Sequence, residues 1–120
     1  EVPATPVMAL FGGRGGALDG FYQSMGVAVR AGAGLGDVEA AVRAVLKHHD
    51  VLRMRAELST DGIWRLTVPA DTSTAAVVRR VDAEGMSQDA LSDLVVVERG
   101  AAQGRLSPAA GVMVQGVWFD

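Results

Sequence analysis

The feature that most constrains this chain is a change of hydrophobic period near residue 50. In DVEAAVRAVLKHHD, residues 37–50, Val38, Ala41, Val42, Val45 and Leu46 recur at i, i+3, i+4, i+7 and i+8, the spacing of one buried stripe on an α-helix. Asp37 stands where an N-cap is wanted, Glu39 complements the positive end of the helix dipole, and Lys47, His48 and His49 fall in the last turn, where cations favour the unpaired carbonyls. The period then becomes two. Leu52, Met54, Ala56 and Leu58 share one face and Arg53, Arg55 and Glu57 the other, which predicts a half-buried strand. STDG turns it into IWRLTV, where Trp64, Leu66 and Val68 alternate with Arg65 and Thr67, completing a β-hairpin. A helix feeding a hairpin requires a layered α/β fold.

The remaining segments fit that class. Thr5 and Pro6 form a start signal for a short helix bearing Val7, Met8, Leu10 and Phe11, ended by GGRGG. The glycines around Arg14 match neither the dinucleotide fingerprint nor the P-loop, and read as a connector. GFYQSMGVAVR, residues 20–30, is rich in β-formers and reads as a strand, closed by the turn-forming AGAGLG, which likewise lacks the spacing of a nucleotide loop. After a Thr-rich connector, AVVRRVD reads as a short strand near a sheet edge because of its two arginines. Ser87 caps a helix over MSQDALSDLVVVERGAAQGRL, with Leu91, Leu94 and Val95 inward; Gly100 and Gly104 weaken its later turns, and Pro108 ends it. GVMVQGVWF, almost uniformly apolar, reads as a strand covered on both faces and central in its sheet. The order helix, strand, helix, hairpin, strand, helix, strand predicts one α/β domain with a mixed sheet.

Composition bounds what such a domain does. With 120 residues, 49% apolar and 21% charged, the chain is the size of one domain and is unlike a disordered one. The net charge of −3 and eleven scattered Lys and Arg argue against nucleic acid as a partner. The absence of cysteine excludes disulfides and thiolate metal sites and suits a cytoplasmic protein. No leader or membrane span is expected. The chain opens on Glu1 without a methionine and stops at Asp120 directly after an apolar run, so both ends read as cut, and the exposed edge left behind predicts self-association.

His48 and His49, the only histidines, invite a catalytic reading because imidazole titrates nearest neutrality. The structural reading is stronger: both lie at a helix end, with no Ser, Asp or Glu set to orient them or be activated by them. A metal reading is weaker still, since neighbouring helical residues point about 100° apart and no third ligand follows.

ATPVM, DGFYQSMGVAV, DVEAAVRAVLKHHDVLRMR and the closing GVMVQGVWFD, in that order and spacing, resemble the N-terminal part of a condensation-type domain of nonribosomal peptide synthetases. HHDVLR resembles that family's second core motif at His48, His49, Asp50, Leu52 and Arg53. The opening helix departs from the family's first motif, and FYQSM is similar to epimerisation-like relatives, so both subtypes stay open. The resemblance implies the N-terminal lobe of a chloramphenicol-acetyltransferase-like α/β sandwich, ending before the catalytic signature HHxxxDG. It implies a parent that joins aminoacyl thioesters tethered to carrier proteins by phosphopantetheine, with no cofactor bound directly, and partners in the C-terminal lobe and peptidyl carrier proteins. It implies no catalytic residue within this chain. It also implies that Arg53 supports the active-site channel, pairing with the aspartate of the signature; the alternative for Arg53 is an ordinary strand-surface arginine.

Overall fold

A computed structural model describes residues 2–13, 21–70 and 77–120. Among these, three helices and two two-stranded sheets are present, one sheet antiparallel and one parallel. The single mixed sheet expected from the sequence is therefore replaced by two small separate ones. The connectors around Arg14 and over residues 71–76 lie outside the described residues.

Helix α1 spans Pro6–Gly13, starting where Thr5 and Pro6 direct it, with the Ala9 N–H bonded to the Thr5 carbonyl at 3.0 Å. Helix α2 spans Leu35–His48. Its N-cap is Gly34, not Asp37: Asp37 lies one turn inside and its Oδ2 accepts the Gly34 N–H at 3.0 Å, the return arm of a capping box. The buried stripe is narrower than the sequence suggests. Leu46 is fully buried, Leu35, Val38 and Val42 are half-buried, and Ala41 and Val45 face solvent.

Strand β1 (Arg55–Leu58) pairs antiparallel with β2 (Trp64–Thr67), Ala56 opposite Leu66. The turn between them closes through Ser59, whose N–H reaches the Ile63 carbonyl at 2.9 Å while its Oγ accepts the Ile63 N–H at 3.1 Å. Gly62 supplies the positive φ of 74° that this turn needs. Met54, Ala56 and Leu66 form the core on one face of the hairpin, packed against Met8, Trp64 and Val68. The Trp64 Nε1–H donates to the Met8 carbonyl at 2.7 Å, fastening α1 to the hairpin. Leu58, expected on the buried face, is exposed at the strand's open end.

Strand β3 (Val78–Val81), helix α3 (Gln88–Gly104) and strand β4 (Gly116–Phe119) form a βαβ unit with β3 and β4 parallel. Ser87 caps α3, its Oγ accepting the Ala90 N–H at 3.3 Å. The helix passes through Gly100 and ends four residues before Pro108, because Leu91, Leu94, Glu98 and Ala102 hold an inward stripe that offsets the poor propensity of glycine. Val95 is not part of that stripe and is exposed. Glu98 takes a place inside because Arg79 of β3 reaches it, with Nε 3.1 Å from Oε2 and Nη2 donating to Oε1 at 3.3 Å.

Two expected strands change. Residues 21–30 form no strand and are exposed throughout; a strand is held by its ladder, and no ladder forms there. The run 111–119 is strand only from Gly116, because Ser107–Val112 close a tight turn with reciprocal N–H to carbonyl bonds of 2.9 Å. That turn packs against β1: Ala56 donates to the Pro108 carbonyl at 2.9 Å. At Gly111, with φ of 79°, an added Cβ meets Arg55 Cγ at 3.1 Å and the Arg53 carbonyl at 3.3 Å. Nor is β4 central: it pairs with β3 alone among the described residues. No helix among them is long and apolar enough to cross a membrane.

Candidate functional site

The stretch His48–Arg55 joins α2 to β1, and its geometry follows from the needs of a helix end. The last carbonyls of α2 lack intrahelical partners. The chain turns at His49, whose N–H still reaches the Val45 carbonyl at 2.9 Å, and makes one turn of 3-10 helix over Asp50–Arg53. That turn swings Arg53 back beneath α2. Its Nη1 donates to the Leu46 carbonyl and, at 3.4 Å, to the Lys47 carbonyl. Its Nη2 donates to Asp50 Oδ1 at 2.7 Å.

Arg53 is therefore neither in a strand nor on a strand surface. Its side chain is 10% exposed while that of its partner Asp50 is 70% exposed. The guanidinium is held on one side by carbonyls that the helix leaves unpaired and on the other by a carboxylate open to water. A buried cation with such partners is retained without being reactive. Its Nε is buried with no partner among the described residues.

His48 and His49 stand beside this clamp and take no part in it. Their rings meet edge to face, centroids 4.8 Å apart, and both side chains are exposed. Neither imidazole has a hydrogen-bond or ion-pair partner among the described residues. No group of three or more His, Asp or Glu among those residues is placed to hold a metal ion. Replacing both exposed histidines by alanine is expected to shift stability by under about 1 kcal/mol, as for surface substitutions without partners, with unchanged activity in any longer enzyme containing this chain. A complete loss of turnover by that double variant, read beside its melting temperature, would overturn the structural assignment.

Away from this stretch, the described residues line open grooves, of which two adjoin each other. The larger, about 290 Å³, runs between residues 22–25 and 113–115 over the C-terminal half of α3, with Arg99 and Gln103 on its floor. The smaller, about 130 Å³, continues between Phe21 and Val112. Neither is lined by His48, His49 or Arg53, and neither brings together an acid and a base. The ion pairs Arg79–Glu98 and Arg80–Asp120, the latter with Nε 2.8 Å from Oδ2, escaped the sequence reading. An arginine pair in a strand carries no signal for which distant carboxylate it meets. The Asp50–Arg53 pair was more accessible, since i, i+3 spacing in a helical turn places such groups together. Comparison with protein-family models, with curated proteins and with solved structures finds no match.

Proposed function

We propose that this chain is the N-terminal part of a condensation-type domain of a nonribosomal peptide synthetase, acting in the cytoplasm. Its parent joins two carrier-bound aminoacyl groups: the α-amino nitrogen of the acceptor attacks the donor thioester carbonyl, an amide forms and the donor's thiol leaves. Positioning of two phosphopantetheine-tethered substrates between two acetyltransferase-like lobes supplies much of the rate. The chain itself contributes scaffold, with Arg53 supporting the channel from below.

The observation that carries this reading is the construction of HHDVLR. Asp50 and Arg53, two of the residues on which the resemblance rests, act together as a lock on a helix end, so the motif has a physical purpose without needing catalysis at His48 or His49. Also in its favour, β4 ends a βαβ unit and pairs with β3 alone among the described residues, an arrangement compatible with a larger sheet.

The test extends the chain through the polypeptide that follows Asp120 in its parent. A protein carrying HHxxxDG there, incubated with donor and acceptor loaded on carrier proteins, is expected to form the amide by mass spectrometry. It should lose that activity when the second histidine of the signature becomes alanine, and the 120-residue chain alone should form none. A parent without the signature, or amide formation by the isolated chain, sinks the reading. Exchange of the α-proton of a single carrier-bound residue in deuterated water, with no acceptor present, identifies the epimerisation alternative. Carrier-protein binding without turnover identifies a non-catalytic half-domain.

A further inference from the structure

We infer that Gly111 is a positioning residue that couples the Arg53 clamp to the wall of the grooves, so that the lock beneath α2 and the cleft over α3 shift together. The connection runs through the turn Ser107–Val112. That turn is closed on itself: Ser107 and Val112 exchange two bonds of 2.9 Å, and the Gly111 N–H donates to the Pro108 carbonyl at 3.0 Å. It is pinned beside β1 at two points. The Pro108 carbonyl accepts the Ala56 N–H at 2.9 Å, and Gly111 approaches the end of the clamp so closely that a Cβ there meets the Arg53 carbonyl at 3.3 Å and Arg55 Cγ at 3.1 Å. The other side of the turn is groove. Pro108 and Val112 line the smaller cleft, and Met113, the next residue, lines both.

The Arg53 carbonyl is fixed in its turn. It ends the 3-10 helix Asp50–Arg53, and the side chain of the same residue is tied to the carbonyls of Leu46 and Lys47 and to Asp50. Without those bonds the backbone at Arg53 is free to rotate, and its carbonyl no longer stands firmly against Gly111. The coupling therefore has a sign. A side chain at position 111 collides with a clamped Arg53 and yields more easily beside an unclamped one. Coupling of this kind is reciprocal, so whatever fills the groove is felt at the end of α2, and Arg53 acts on the groove through Gly111 without touching what enters it. Every contact used lies between residues 46 and 113, so the inference stands whether or not the synthetase reading holds.

A second glycine provides the control. Gly111 and Gly85 both have positive φ, 79° and 73°, which strains a residue bearing a Cβ. Nothing lies within 4 Å of a Cβ built at Gly85. The difference between Gly111→Ala and Gly85→Ala thus isolates the contact with Arg53 and Arg55. Gly111→Asn keeps the Cβ and tolerates the left-handed backbone better than alanine does, and it replaces Gly111→Ala where the latter fails to fold.

NMR of the 120-residue chain tests the coupling. Gly111→Ala is expected to speed exchange of the Ala56 amide, whose acceptor is Pro108, by about tenfold or more relative to the Leu91 amide of α3. Gly85→Ala should leave that ratio unchanged. Arg53→Ala, or Arg53→Lys where alanine fails to fold, is expected to move the amide shifts of Val112 and Met113, a change in native geometry that lost stability alone does not produce. Combined with the Arg53 variant, the effect of Gly111→Asn on Ala56 exchange should fall by about threefold or more, because residues in contact are not additive. Gly111→Ala no more disruptive than Gly85→Ala, unmoved Val112 and Met113 shifts in the Arg53 variant, or effects that simply multiply in the double variant would each overturn the inference.

Discussion

Arg53→Ala is expected to cost about 3 kcal/mol of stability, because hydrogen bonds from a charged donor are worth about 1.5–3 kcal/mol and their loss strands buried acceptors. The carbonyls of Leu46 and Lys47 accept no other bond beyond the helix among the described residues, and the side chain is nearly buried, so water replaces the guanidinium poorly. The Asp50 contribution is small by comparison, since that carboxylate is open to solvent; Asp50→Ala should cost no more than about 1 kcal/mol. Arg53→Lys should recover less than half of the loss, because an ammonium cannot fork between two carbonyls and a carboxylate. Urea unfolding followed by far-ultraviolet circular dichroism ranks the three variants. Arg53→Ala within about 0.5 kcal/mol of the native chain, the usual range of a surface substitution, would return Arg53 to an ordinary surface position. In a complete domain the loss should appear as poor soluble yield, and a well-folded variant with altered substrate choice would contradict it.

The clamp shows where a pattern in the sequence misleads. Leu52, Met54, Ala56 and Leu58 alternate faultlessly, yet the first of them lies in a 3-10 turn and the last is exposed. Alternation records which side chains prefer burial and says nothing of the bonds a helix end demands from the next residues. Arg53 satisfies those bonds, and the strand begins only when it has done so. The hairpin was legible because its signals are local: alternation in IWRLTV and a serine, aspartate and glycine in the turn. Ser87, Thr5 and Pro6 were legible for the same reason.

What escaped depends on distant partners. Residues 21–30 carry the side chains of a strand, but a ladder needs a neighbour, and no strand among the described residues pairs with them. In α3 a carboxylate occupies the inward stripe because an arginine nineteen residues earlier meets it, whereas apolarity alone would have chosen Val95. In the closing run, hydrophobicity predicts nine residues of strand, and the turn at Ser107–Val112 takes the first of them. Asp37 was misplaced by one turn because an aspartate serves both as N-cap and as the third residue of a capping box, and a glycine can take the cap itself. The placement of His48 and His49 at the end of α2 was legible, because the apolar stripe of the helix runs out there.

Leu66→Ala is the second large effect. Leu66 is 1% exposed, pairs with Ala56 across the hairpin and clusters with it and Met54, against which Met8, Trp64 and Val68 pack. Removing a buried leucine costs about 2–5 kcal/mol, the upper end applying where the walls cannot move. Here two of the neighbours are methionines, which adapt to gaps, so about 3 kcal/mol is expected. That is a large part of the roughly 5–15 kcal/mol on which a domain depends. Leu66→Met preserves volume and should cost less than about 1.5 kcal/mol, while Ile63→Ala, at an exposed position one residue before the strand, should fall within about 0.5 kcal/mol. The cavity also loosens the seat of Trp64, whose indole holds the Met8 carbonyl. The Ala9 amide of α1 should therefore exchange faster in Leu66→Ala than the Leu91 amide of α3, which depends on Ser87. Equal acceleration at Ala9 and Leu91 would mean that the molecule opens as one unit, and that α1 is not specifically fastened through this core.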